Sequence, residues 1–232
     1  SSSARGKHEL GPGLRFREAA SLDVPAGAGL GSELPASAQL LGPEFKVNSY
    51  EPGYQQFPAV AADSVGNFVV VWRNSCTYCA APGIFGRRMD ATGAPAGAEF
   101  QVNSYTTNLQ GSPAVAADAM GNFVVVWASQ IDGAAMGVSG QRFDAAAVPQ
   151  GGEFQVNSFT TSDQRAPAIA IDGSGNFVVV WNSYGQDGTG FGVFGQRFSS
   201  SGSPLGLEFQ VNSFTTGAQF VPSVAADAAG DF

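Results

Sequence analysis

Short, wholly apolar runs alternate along this chain with polar stretches closed by glycine. The clearest run is Gly121-Asn122-Phe123-Val124-Val125-Val126-Trp127. It recurs as Gly66–Trp72 and Gly175–Trp181 and begins again at Gly230-Asp231-Phe232. Phe, Val and Trp suit a pleated surface. Three adjacent Val disfavour a helix, where β-branched side chains lose rotamer freedom. A strand turns successive side chains to opposite faces, so Phe123, Val125 and Trp127 share one face and Val124 and Val126 the other. Both faces are apolar, which predicts a strand buried between two layers. The Trp residues stand 55 and then 54 residues apart, a period that belongs to propellers, solenoids and arrays.

The pattern divides the chain as follows. Residues 1–12 form a polar tail. Residues 13–41 hold Leu14–Phe16, which echoes the end of each repeat and predicts the outer strand of a preceding blade, and then an irregular loop rich in Ala, Gly, Pro and Ser. Repeats one, two and three occupy residues 42–96, 97–150 and 151–205, and residues 206–232 carry a fourth that stops early. Each repeat reads as four strands. In the first, strand a is Glu44–Asn48, strand b Pro58–Asp63, strand c Phe68–Trp72 and strand d Gly83–Met89. The Pro is expected at the start of strand b, where a missing N–H is tolerated. Asp63 to Asn67 predicts a tight turn, with Asp bonding the turn backbone. No apolar helical period with caps is present. The expected fold is all-β: a β-propeller-like array of four-stranded antiparallel blades. Three whole blades fall below the usual four to eight, so an incomplete propeller, an open arc with an unpaired edge, is expected.

Composition narrows the partners. Net charge is −8, which argues against nucleic acid, whose binders need a basic footprint. No apolar run approaches a membrane-spanning length, so no membrane insertion is expected. The N-terminus lacks the apolar core of a signal peptide. Two cysteines, Cys76 and Cys79, fall in a loop. A redox motif would need a strand-to-helix context, and zinc would need more ligands. A local disulfide or two free thiols is the expectation.

Few polar positions recur in every copy. They are Asn48, Asn103, Asn157 and Asn212; Gln55, Gln110, Gln164 and Gln219; Asp63, Asp118, Asp172 and Asp227; and Arg15, Arg88, Arg142 and Arg197. A group needed in every blade is expected to solve a backbone problem present in every blade. The competing reading is a ring of equivalent ligand sites. The loops between strands c and d vary, and variable loops on a rigid scaffold are where binding resides. They supply the candidate binding residues Asp132, Gly133, Tyr184, Asp187 and Gly188. Calcium is the one cofactor they suggest, but each loop holds a single carboxylate where calcium wants several. No metal site and no catalytic residue is assigned.

The motifs Glu-Phe-Gln-Val-Asn-Ser, Pro-Ala-Val-Ala-Ala-Asp-x-x-Gly-Asn-Phe-Val-Val-Val-Trp and Gly-Gln-Arg-Phe together resemble repeats of large secreted bacterial proteins of calcium-binding or adhesin-like type. The resemblance covers residues 42–232 and implies an extracellular or cell-surface β protein packed against neighbouring repeats of the same polypeptide. Repeat one departs from it where Cys76 and Cys79 replace the Asp-Gly pair. The Asp turn is also similar, in part, to the Asp-box hairpins of sialidase-like propellers, without the flanking Ser and Thr-Trp.

Repetition without a singular cluster predicts a non-enzymatic binding or adhesion module for a glycan or protein ligand. The alternatives are a purely structural spacer and a propeller-type glycosidase or lyase fragment. An enzyme would require groups that break the repetition. A carboxylate pair is the chemistry that sugar hydrolysis needs, and the one His, His8, leaves no Ser-His-Asp triad outside the tail.

Overall fold

A computed structural model describes residues 44–75, 83–130 and 135–232. Among these residues every regular element is a strand. Three four-stranded antiparallel sheets follow one another. The first contains β1 (Tyr54–Ala62), β2 (Phe68–Ser75), β3 (Gly83–Met89) and β4 (Phe100–Gln101). The second contains β5 (Gln110–Ala117), β6 (Phe123–Ser129), β7 (Gly137–Phe143) and β8 (Phe154–Gln155). The third contains β9 (Gln164–Ile171), β10 (Phe177–Tyr184), β11 (Phe191–Phe198) and β12 (Phe209–Gln210). The array is propeller-like, as the repeats predict. The first strands of successive sheets pack against one another, as innermost blade strands do, and the two-residue strands lie at the outer rim.

Blade and sequence repeat are out of phase by one strand. Strand a pairs with strand d of the repeat before it: Phe100 lies opposite Gly86 in β3, and Phe154 opposite Gly140 in β7. Each blade is therefore b, c, d and the next repeat's a, and the repeat borders at 96–97 and 150–151 fall inside sheets. Strand a is also shorter than expected, two residues instead of five. This phasing ties each repeat to its successor through hydrogen bonds as well as through packing.

Strand b begins earlier than expected, and its proline lies within the strand. The ladder slips between Gln56 and Ala59, between Gly111 and Ala114, and between Val180 and Asn182 opposite β9. The residue before each proline takes positive φ: Phe57 at 54°, Ser112 at 49°, Ala166 at 49° and Val221 at 55°. A bulge at this point absorbs the proline, which has no N–H to give the ladder.

The two apolar faces of strand c serve two different interfaces. Phe123, Val125 and Trp127 of blade two pack with Val69 and Val71 of blade one. Val124 and Val126 pack with Phe177, Val179 and Trp181 of blade three. Beyond blade three, Val178 and Val180 are covered by Val224 and Ala226 of the fourth repeat. Trp127 and Trp181 are fully buried and Trp72 nearly so. The core is thus a series of inter-blade layers. The small residues of the inner strand let neighbouring blades approach near the axis, while the large residues of strand c fill the wider space outside.

Candidate functional site

The loops from a to b and the hairpins from c to d gather at one end of the blades, here the upper face. The b–c and d–a turns occupy the lower face. On the lower face, Asp118 Oδ1 accepts the N–H groups of Met120 (2.9 Å) and Asn122 (2.9 Å), and Oδ2 accepts the Asn122 side-chain amide (2.8 Å). Asp63 and Asp172 repeat this pattern on Asn67 and Asn176. The Asn67 amide, together with turn N–H groups, holds the Asp63 carboxyl below its ordinary value despite an opposing desolvation. These aspartates close turns, as expected.

The repeated Asn and Gln pin the upper loops. Asn157 Oδ1 accepts Val138 N–H (2.8 Å), and its amide donates to Phe159 O (2.8 Å) and to Gln164 Oε1 (3.1 Å). Asn103 and Asn212 make the corresponding backbone bonds. Gln164 Nε2 donates to Thr161 O (3.1 Å), while Gln110 Oε1 accepts the Trp127 indole N–H (2.9 Å). Arg142 Nη1 donates to Ser200 O of the next blade (2.8 Å).

A fifth repeated device escaped the sequence reading. Glu153 Oε2 accepts Ser104 N–H (3.0 Å), Ser104 Oγ–H (2.7 Å) and Tyr105 N–H (3.4 Å). Glu208 does the same for Ser158, at 2.7 and 2.9 Å, and Glu99 for Ser49. Each carboxylate clamps the loop about 50 residues before it. The signal was present as Glu and Ser five residues apart in every Glu-Phe-Gln-Val-Asn-Ser copy; the partner lies in a different copy.

Repetition breaks on the upper face of blade three. Asp163 stands where the other repeats have Tyr54, Leu109 and Ala218, and Arg165 where they have Gln56, Gly111 and Phe220. Arg165 Nη2 lies 2.6 Å from Asp163 Oδ2, and Asp163 Oδ1 accepts Met136 N–H (3.0 Å) from blade two. Tyr184, which follows Ser183 at the tip of β10, is 49% exposed, and its N–H donates to Asp163 O (2.9 Å). The ring of Tyr184 meets Phe191 edge-on at 5.0 Å, and Phe191 lies 5.2 Å from Phe220, itself 61% exposed. Asp187 belongs to the hairpin of this blade: Oδ1 accepts Thr189 N–H (3.2 Å), and Oδ2 lies 3.5 Å from Asn212 Nδ2. Gly188 turns with φ of 98°. Among the expected binding residues, the structure thus places Tyr184, Asp187 and Gly188 in one hairpin. Asp132, Gly133, Cys76 and Cys79 lie outside the described residues. No metal-holding group of His, Cys, Asp or Glu occurs among the described residues. No helix among the described residues is long and apolar enough to cross a membrane.

No protein-family model and no curated protein matches this sequence. Solved structures resemble it in the course of the chain. An endo-arabinase from Bacteroides thetaiotaomicron aligns with a TM-score of 0.46 at 16% identity, covering 73% of this chain and 66% of that one. A thermostable family-43 glycoside hydrolase aligns with a TM-score of 0.47 at 10% identity, covering 76% and 62%. An alpha-L-arabinanase from Penicillium chrysogenum, complexed with arabinobiose, aligns with a TM-score of 0.38 at 12% identity, covering 76% and 72%. The chain spans less than two thirds of the length of the first two. The expectation of a non-enzymatic binding or adhesion module is corrected here: all three of these structures are enzymes, and none is an adhesion module. Likeness at this level speaks to fold alone, and the chemistry of this chain rests on its own residues.

Proposed function

We propose that this chain is part of a propeller-type glycosidase whose working groups lie on the upper face of the third blade. The observation that carries the reading is the break in repetition there. Catalysis needs groups that occur once, and Asp163, Arg165 and Tyr184 have no counterpart in the corresponding positions of the other described blades. Cleavage of a glycosidic bond needs two carboxyl groups flanking it. Most carboxylates in the described blades close turns or clamp loops. Asp163 and Asp187 also accept backbone N–H groups, those of Met136 and Thr189, but stand on the upper face beside the aromatic cluster. Arg165 fixes the orientation of the Asp163 carboxylate through a 2.6 Å contact. The exposed rings of Tyr184 and Phe220, with Phe191 between them, offer an apolar surface for the C–H face of a sugar, an interaction of the kind aromatic side chains make while their edges stay wet. In this reading Asp163, which occurs once, is the first carboxyl candidate, Asp187, whose Asp-Gly pair recurs as Asp132-Gly133, is its partner, and the aromatic cluster positions the substrate.

The test is release of reducing ends from a panel of neutral polysaccharides and their oligomers by the complete natural protein. Asp163→Asn and Asp187→Asn should each lower the rate by a factor on the order of 10² or more. Absence of hydrolysis across the panel, or full activity in both variants, would overturn the assignment.

A further inference from the structure

The lower face holds a second feature, distant from the groups considered above. Successive blades leave clefts between their turns, and the clefts are unequal. The cleft between blades one and two has a volume of about 110 Å³. The one between blade three and the fourth repeat has about 20 Å³. The one between blades two and three has about 350 Å³, within the range of roughly 300–1,000 Å³ typical of small-molecule pockets.

The walls of this large cleft differ in sequence from those of the cleft between blades one and two. The b–c turn that blade three presents to it reads Gly173-Ser174-Gly175, where blade two has Ala119-Met120-Gly121 in the turn facing the smaller cleft. Met120 is 76% exposed and lines both clefts. On the opposite wall, Gln150 replaces the Ala96 and Leu205 of the other d–a turns. The apolar part of the lining includes Ile171 and the exposed Met120, while Asp118, Asn122, Arg142 and Gln150 form a polar rim.

The rim carries acceptors and donors in adjacent pairs. Asp118 Oδ2 lies 2.8 Å from the Asn122 amide, and Asp144 Oδ2 lies 3.4 Å from the Gln150 amide. Arg142 commits Nη1 to Ser200 O and keeps further N–H groups, since a guanidinium carries five. A hydroxyl group both donates and accepts, so it matches such pairs. Two carboxylates against one guanidinium disfavour an anion. We propose that the cleft between blades two and three binds a neutral polyhydroxylated ring, the size of one sugar residue, with its hydroxyls on the rim and its C–H face on Met120 and Ile171. The site stands apart from the upper face and does not depend on hydrolysis there.

The test is backbone-amide NMR of the isotopically labelled protein, titrated separately with glucose, galactose, mannose, xylose, arabinose and N-acetylglucosamine. At least one sugar should shift the amides of Asn122, Gly175 and Ser200 in a saturable way. Ser174→Met places a larger side chain on the wall of the cleft, and Gln150→Ala restores the residue of blade one. Both replace exposed side chains, and each should weaken binding about tenfold through lost space or a lost polar partner. Asp163→Asn, on the other face, should leave it unchanged. No saturable shift with any of the six sugars overturns the proposal, as does binding unaffected by both variants. Hydrolysis measured on Ser174→Met reports on the upper face alone, so the two sites fail or stand separately.

Discussion

The tip of the Phe154 ring covers Gly140. A Cβ placed on Gly140 would stand 2.6 Å from Phe154 Cζ. The same pairing joins Phe100 to Gly86 and Phe209 to Gly195, at 2.7 and 2.8 Å. In the Gly-Gln-Arg-Phe motif, the glycine is there so that the aromatic ring of the next repeat's first strand can cross the outer strand. Phe154 also meets Phe177 and Phe198 at 6.2 and 5.6 Å, so one ring links two blades.

Gly140→Ala should therefore destabilise the protein by about 1–3 kcal/mol, the usual cost of forcing atoms into a packed site. Phe154→Ala in the same chain should remove most of that added cost. Urea denaturation of the two single variants and the double variant gives the coupling. Additive effects would show that the ring does not set the identity of residue 140.

Trp127→Ala should cost about 3–5 kcal/mol, because the indole is buried between two blades and large-to-small changes leave a cavity. Its N–H bond to Gln110 Oε1 is lost with it. The same denaturation series measures this, and a loss well below 1 kcal/mol would place the indole outside the core.

Glu153→Ala should cost about 1 kcal/mol. Charge-assisted bonds are strong, but this one is exposed, and solvent screening discounts it. Ser104→Ala should cost less, since the Ser104 and Tyr105 N–H donors to Glu153 remain. Hydrogen exchange of the Ser104 and Tyr105 amides reads the clamp directly. Both should exchange faster in Glu153→Ala.

Acid should weaken the turns before it touches the strands. Asp63 is held low chiefly by the Asn67 amide, and Asp90 chiefly by the Thr92 hydroxyl. For Asp172, desolvation pulls upward, but bonds from Asn176, Ser174 and Gly175 leave it below its ordinary value. A depressed folded pKa contributes stability that is present above the unfolded value of 3.8 and is lost as pH falls through the lower folded value. Tm should therefore hold steady down to pH near 4 and decline below it. Asp172→Asn should flatten that decline, and an unchanged acid limb in this variant would remove Asp172 from the account.

At Ala166, φ of 49° is a conformation costing an ordinary residue about 1–2 kcal/mol, which glycine escapes. Ala166→Gly should leave stability unchanged or slightly raised, since this relief offsets the roughly 0.5–1 kcal/mol that glycine costs through backbone entropy. A clear loss in urea denaturation would argue against strain at the bulge.

Much of the framework was legible along the chain because it depends on near neighbours. The bounds of β3 follow directly from the expected strand Gly83–Met89. The two apolar faces of Phe123–Trp127 announce burial on both sides, and the Asp turns are local contacts within five residues. What the linear pattern could not decide depends on which copy meets which. Strand a joins the preceding blade, and Glu153 reaches back to Ser104, because identical repeats offer identical partners and only packing chooses among them. The prolines at 58, 113 and 167 mark a bulge inside a strand, since the opposite strand continues past them. Asp163, Arg165 and Tyr184 became a cluster only when hairpin and loop were brought to one face. Along the chain Asp163 and Arg165 are unremarked and Tyr184 is one loop candidate among five; in space they are where the repetition ends. Periodicity and turn chemistry act over a few residues, and these determined the strands. Register between repeats, inter-blade packing and the unequal clefts arise from contacts across about 50 residues, and these the tertiary structure alone decided.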